Sequence, residues 1–298
     1  GFKGGAVCSG ERDFANLVRC KDVDAVIVST PWEWHAPMAL AAMKAGKYTG
    51  LEVPAVLTLK EAWELVETHE KTGTHLMLLE NVCYRRDVMA VLNMVRQGLF
   101  GEMLYAHCGY QHDLRPVKFN DGKQPYGGGA EFGPQGMSEA RWRTAHSVNR
   151  NGDNVVIVHD TNSPRPYSLG FRAQGTKGIW MDDGDQIYLE KTSPKHDQWE
   201  PFAPYQAKYD HPLWRKFEKD AENAGHGGMD FFVVRAFVES VKRKWPPPID
   251  VYDAVAWSAV SALSEESVRK GGALVEFPDF TKGKWSSRQP VFALGEEY

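Results

Sequence analysis

The feature that most constrains this chain is the tight alternation of short β-branched runs with helical stretches over roughly its first hundred residues, a pattern that builds a parallel sheet with crossover helices. DAVIVST, residues 24–30, is a run suited to a strand buried on both faces. After the turn PWEWHAP comes the Ala- and Met-rich helix MALAAMKAGK, with Gly46 placed to end it. KYTGLEVPA reads as a second strand stopping at Pro54. Thr58 and Glu61 have the spacing of a capping box at the head of TLKEAWELVETHEKTG, and HLMLLEN follows as a third strand, completing βαβαβ. The next helix, RRDVMAVLNMVRQG, carries Val88, Val91, Leu92 and Val95 on one face and stops at Gly98 before the strand-like EMLYAHCGYQHD.

From Tyr105 the texture changes to alternating runs such as NVVIVHDTN, YSLGFRAQG and GIWMDD, separated by Gly, Pro and Asp turns. The stretch from Lys118 to Asp153 is rich in Gly and polar residues and has no clean period, so it reads as loop lying over a site. Helical patterns return at MDFFVVRAFVESVKRK, halted by Pro246, Pro247 and Pro248, and at VYDAVAWSAVSALSEESVRKG. The predicted fold class is α/β: a Rossmann-like parallel sheet whose N-terminal part is not in view, then a second α/β domain with an open, mostly antiparallel sheet. The predicted boundary divides a dinucleotide-binding domain at 1–103 from a substrate and oligomerisation domain at 104–298, with the C-terminal helix packing back on the first.

Composition narrows the function. Thirty-five Lys and Arg against thirty-nine Asp and Glu, with no block of one sign, argue against nucleic acid as a partner. No apolar run approaches the ~20 residues of a membrane span. Four cysteines, Cys8, Cys20, Cys83 and Cys108, lack CxxC or metal-like spacing and read as idle thiols. The start, GFKGGAVCSG, has neither an initiating Met nor the pattern of a leader.

Ligands of open parallel sheets sit at the carboxyl ends of the strands, so the turns PWEWH, EVPA and ENVCY are the places to look. Trp32, Trp34 and His35 either stack on a flat ring and bond a ribose or phosphate, or plug the sheet as an aromatic cluster. Glu52 and Asn81 fall at the next two strand ends, so polar groups from three successive strands meet one crevice. No GxGxxG precedes them, and without that turn a pyrophosphate lacks its helix N-terminus. Further on, Tyr110 and Tyr167 have arginines nearby and suit a sugar, since phenols both stack on and bond to hydroxylated rings; structural tyrosines are the alternative. In GHGGMDFF, His226 and Asp230 stand four apart. They read weakly as a metal pair, and better, with Gly225, Gly227 and Gly228 beside them, as a turn where backbone meets ligand.

Taken in order, TPWEWH, EVPA, LLEN, HDLR, WRTAHSVNRNGD, SPRPYS, QGTKG, GHGGMDFF and DFTKGKW resemble glycoside hydrolase family 109, the NAD-dependent α-N-acetylgalactosaminidases, from about Asp22 to Trp285. That family is similar to the glucose-fructose oxidoreductase and inositol dehydrogenase superfamily. The dehydrogenases of that superfamily carry EKP, whose lysine assists hydride transfer; here Val53 stands between Glu52 and Pro54. The resemblance implies a bacterial enzyme, periplasmic or exported, acting on a carbohydrate or glycoconjugate and working as a homo-oligomer. It implies retained NAD, transient oxidation at sugar C3, loss of the acidified C2 proton, elimination of the C1 aglycone, addition of water and re-reduction, in place of the usual carboxylate pair. By matching motif, Trp32, Glu33, Trp34, His35, Glu52, Val53, Asn81 and Arg143 would line NAD, while Tyr110, Arg143 and Tyr167 would hold the sugar.

Two departures stand out. The glycine turn is one. The other is the family's tyrosine-Pro-Thr-His-Gly segment after RNGD, because here RNGD runs straight into NVVIVHD, so several dozen residues with the histidine expected near C3 are missing. For the C2 base, Tyr110 lowered by Arg115 or Arg143 is the first choice and His226 the second. A sugar oxidoreductase and a catalytically dead sugar-binding protein are the competing functions.

Overall fold

The computed structural model describes residue 10 and residues 12–112, 119–120, 130–131, 150–151, 154–160 and 166–298. It divides into two compact units: one of residues 1–82, 220–262 and 276–298, and one of residues 83–219 and 263–275. The helix after the third strand thus falls in the second unit, so the division comes at Cys83, ahead of the predicted boundary.

The first unit opens with α1 (Phe14–Leu17) and holds a parallel sheet of β1 (Ala25–Val28), β2 (Tyr48–Leu51) and β3 (Leu76–Leu78), in that order. Between β1 and β2 runs α2 (His35–Lys44), and between β2 and β3 runs α3 (Leu59–Thr72). The PWEWH turn is one 3-10 turn, Trp32–Trp34, which feeds α2 directly, so the helix starts at His35 rather than at Met38. At α3 the predicted capping box is present: Glu61 N–H donates to Thr58 Oγ1 at 3.2 Å and Thr58 N–H donates to Glu61 Oε2 at 3.0 Å. Gly73, at φ +70°, closes that helix in the left-handed region. β2 and β3 are buried along their whole length, as parallel strands covered on both faces must be.

Two later helices complete this unit. The ring of Phe237, in Met229–Arg243, packs on Gly50 of β2. The helix Val251–Arg269 brings Ser258 Oγ to 2.9 Å from the Ala55 amide, which donates to it, and Leu78 N–H donates to Ile249 O at 3.0 Å. Trp63 of α3 lies against Phe280, ring centres 4.9 Å apart.

The second unit begins with α4 (Arg86–Arg96), followed by β4 (Met103–Gln111), β5 (Phe119–Asn120), β6 (Ala130–Glu131), β7 (Arg150–Asn151), β8 (Asn154–Asp160), β9 (Arg172–Gly175), β10 (Gly178–Met181), β11 (Gln186–Leu189) and β12 (Glu200–Pro201). Its seven-stranded sheet has the order β12-β11-β10-β9-β4-β8-β7. All pairs are antiparallel except β4 with β8, which run parallel from Tyr105 opposite Asn154 to Gln111 opposite Asp160. The mostly antiparallel expectation therefore holds, with one parallel pair near its middle. Trp180, Ile187 and Leu189 face Val91, Met94 and Phe100 in a common core with Phe202. Beyond the sheet come two helices absent from the predicted elements, α5 (Ala203–Tyr209) and α6 (Pro212–Ala221); Met229–Arg243 and Val251–Arg269 are accordingly α7 and α8. Among the described residues no helix is long and apolar enough to cross a membrane.

Candidate active site

In the first unit the crevice lies at the carboxyl ends of β1, β2 and β3, where side chains leave the sheet and helix N-termini begin. Just beyond β1, Thr30 Oγ1 is buried with no hydrogen-bond partner. It borders a cleft of about 280 Å³ lined largely by apolar side chains, including Phe14, Val26, Val28 and Met38. An unspent hydroxyl set in apolar walls fits a flat, hydroxyl-bearing ligand such as a nucleoside half of a dinucleotide.

His35, predicted to line a ligand, is fully buried at the start of α2. Its Nδ1 lies 2.7 Å from Pro54 O and its Nε2 lies 2.7 Å from Thr30 O. The ring is thus held between two backbone carbonyls and ties the turn after β1 to the turn after β2. Trp34 packs edge to face on Phe14, centres 6.2 Å apart, and Glu33 is exposed.

Glu52 and Val53 follow β2. Burial raises the Glu52 carboxyl above its ordinary range; the Val53 amide, which donates to Oε1 at 3.2 Å, and nearby His35 oppose this, whereas Asp230 adds to it. Glu80, at the end of β3, is likewise pushed up by burial, and the charge of Glu52 adds to that push. Asn81 opens a 3-10 turn over Asn81–Tyr84, and its Nδ2 donates to Asp230 Oδ1 at 2.7 Å. His226 Nδ1 lies 2.8 Å from the other oxygen of Asp230. Burial alone would raise Asp230, yet the bonds from Asn81 and His226 outweigh it and hold that carboxyl below the ordinary range. The crevice therefore holds two carboxyls, Glu52 and Glu80, above their ordinary range and a third, Asp230, below it, the kind of divergence that separates an acid from a base.

The second unit gathers a separate aromatic group. Tyr110, near the end of β4, stacks on His159 of β8 at 6.2 Å and meets Tyr167 edge-on at 5.9 Å. His112 meets Tyr167 at 5.2 Å, and its Nδ1 lies 3.2 Å from Tyr110 Oη. Both tyrosines are exposed, as rings that meet a sugar must be. His112 and His159 were not singled out in the sequence; the alternation in NVVIVHD, opposite β4, is the only signal that points to His159. Arg143 and Arg115 lie outside the described residues. No group of three or more His, Cys, Asp or Glu that could hold a metal ion occurs among the described residues.

Comparison with known proteins agrees with this geometry. The family model described as "Oxidoreductase family, NAD-binding Rossmann fold" matches residues 6–79. Levoglucosan dehydrogenase in complex with NADH and levoglucosan superposes with a TM-score of 0.64 over 89% of this chain and 83% of that one at 19% identity, a likeness of fold. An NAD-binding oxidoreductase from Klebsiella pneumoniae gives 0.62, 87%, 82% and 16%. The chain is thus an NAD-binding-type oxidoreductase fold with a second, open-sheet domain.

The second domain decides the family. The model described as "Glycosyl hydrolase 109, C-terminal domain" matches residues 84–155 and 151–287. A glycosyl hydrolase family 109 protein of Parabacteroides distasonis is 46% identical over 360 residues, covering 96% of this chain and 77% of that protein. An alpha-N-acetylgalactosaminidase of Tannerella forsythia is 46% identical over 359, covering 96% and 76%. This chain belongs to glycosyl hydrolase family 109. The Parabacteroides match extends over 360 positions against a chain of 298 residues, so at least 62 positions oppose no residue here. The two segments matched by the family model overlap at residues 151–155.

Proposed function

We propose that this protein hydrolyses α-linked N-acetylgalactosaminides by transient oxidation at sugar C3 and elimination across C1 and C2. The observation that carries this reading is the 46% identity, over 96% of the chain, to the Tannerella protein named for that activity. Val53 after Glu52, in place of a lysine, favours it over a sugar oxidoreductase.

NAD, when bound, supplies reversible hydride exchange at C3. The turn of Trp32, Glu33, Trp34 and His35, together with Glu52, Val53, Asn81 and Arg143, would hold it. Tyr167 and Arg143 would hold the sugar, and Tyr110 would take the C2 proton. A phenol needs help to act as a base near neutral pH, because its ordinary pKa is about 10. The imidazole of His112, 3.2 Å from Tyr110 Oη, supports that role by offering a place for the phenolic proton. His226 is the second proton carrier.

A nitrophenyl α-N-acetylgalactosaminide tests the reading: nitrophenol should appear with no net gain of NADH absorbance, and stoichiometric NADH would instead make the protein an oxidoreductase. Sugar binding without turnover would make it a binding protein. In D₂O, recovered product should carry deuterium at C2, and Tyr110→Phe should abolish that label while sugar affinity stays within about threefold. Homo-oligomerisation and a periplasmic or exported location belong to the same proposal, checked by sedimentation and by fractionation of the source cells.

A further inference from the structure

The run GHGGMD draws attention because it enters α7 through three successive left-handed residues: His226 at φ +51°, Gly227 at +66° and Gly228 at +97°. Residues with a Cβ seldom adopt that conformation, and histidine is among those that do so most readily. The turn places His226 Nδ1 on Asp230 Oδ2 at 2.8 Å. Taken alone, this is an exposed pair one helical turn apart, of a kind that contributes little.

Three further observations set it apart. Asn81, which is 149 residues away in sequence, donates to the other oxygen of Asp230 at 2.7 Å, so both carboxylate oxygens are fixed. Gly225 lies so close that a Cβ there would stand 2.2 Å from Asp230 Oδ2. Finally, Glu52 at the end of β2 senses the charges of both Asp230 and His226. The end of β3 and the start of α7 thus fix Asp230 against one imidazole, whose side chain is 69% exposed.

We propose that His226 is a proton carrier of the strand-end crevice, with Asp230 the positioning residue that orients its ring and Asn81 the residue that orients Asp230. A carboxylate on Nδ1 keeps the hydrogen there and leaves the lone pair on Nε2, facing solvent. Resting on the glycosidase reading, the step is a sugar hydroxyl giving its proton to Nε2. With NAD bound to supply a hydride acceptor, the O–H electron pair would become the second C–O bond, and on re-reduction the same nitrogen would return the proton. Charged groups acting on His226 are Asp230 on its own segment and Glu52 across the crevice.

The test uses the full chain labelled with ¹⁵N-histidine, without sugar or cofactor, and long-range proton–nitrogen NMR. The expected result is Nδ1–H in the wild type. Asp230→Asn and Gly225→Ala should both move the hydrogen toward Nε2. The Gly225→Ala variant removes no functional group, so its effect reports position alone. In the glycosidase assay Asp230→Asn should lower kcat roughly 10- to 100-fold with KM within about threefold. An Nδ1–H signal indifferent to both substitutions overturns the orienting role, and unchanged kcat in His226→Gln overturns the proton-carrier role with the glycosidase reading intact. A wild type without turnover overturns that reading and the hydroxyl as proton source, while the nitrogen signals still decide whether Asp230 and Asn81 orient His226.

Discussion

Replacing Ser258 by alanine should loosen the crevice from behind. Ser258 sits on α8, nearly buried, and its Oγ accepts from the amide of Ala55, which is fully buried. Ala55 closes the turn that begins at Glu52, so this one bond fastens the segment bearing Glu52 and Val53 to a helix 203 residues away. Alanine leaves the Ala55 N–H with neither a protein acceptor nor water, a loss of about 1–3 kcal/mol. At ~2–4 °C per kcal/mol, the melting temperature should fall by roughly 2–12 °C. Calorimetry of wild type and variant measures that fall, and titration with NAD measures its consequence at the site, where affinity should weaken several-fold because the turn no longer has one position. An unchanged melting temperature would refute the hydrogen-bond argument. A lowered one with unchanged NAD affinity would refute the claim that the bond serves the site.

Two other substitutions probe charge. Burial, reinforced by Asp250 and opposed by Arg288, raises Asp253 from 3.8 to about 6, so ionising it in the folded protein costs about 3 kcal/mol. A raised folded pKa means stability that is full below the unfolded value and lost as pH rises through 6; Asp253→Asn should therefore stabilise by up to ~3 kcal/mol at pH 8, the gain closing between about pH 6 and 4 in urea titrations. A gain that persists at pH 3.5 would contradict the assignment to Asp253. In the second unit Arg85 bonds both Asp87 and Asp182, all three side chains about four-fifths buried. Arg85→Met strands two carboxylates and should cost about 3–5 kcal/mol, seen as a lower urea midpoint; a loss under 1 kcal/mol would mean that water reaches them.

The elements that were legible in sequence are those specified locally. The capping box at Thr58, the stop at Gly98 and the β-branched run of β1 each act within a few residues of themselves, and each stands where the pattern put it. α6 was missed although Leu213, Trp214 and Phe217 have helical spacing, because the prolines and charges around them mask the pattern. The parallel pairing of β4 with β8 leaves no local mark, because pairing direction depends on how the chain returns. The site divides in the same way. Glu52 and Asn81 follow from their places at strand ends, whereas the bond from Asn81 to Asp230 spans the chain. The aromatic character of the PWEWH turn points to His35 as a ligand contact, while the contacts of its ring nitrogens with Thr30 O and Pro54 O leave no mark in that run. Composition cannot separate a ring that meets a ligand from one that braces the wall beside it.

That brace has a kinetic corollary. Fixing a residue's backbone costs about 1–2 kcal/mol of conformational entropy, and a ligand arriving between two slack turns would bear that cost on every encounter. With His35 joining Thr30 to Pro54, the ordering is completed during folding, and the full contact energy is left to oppose departure. A bound cofactor should then leave slowly, so NAD should persist through dialysis of the purified protein. A catalyst that oxidises and re-reduces within one cycle leaves its cofactor as it found it, and so has no use for exchange.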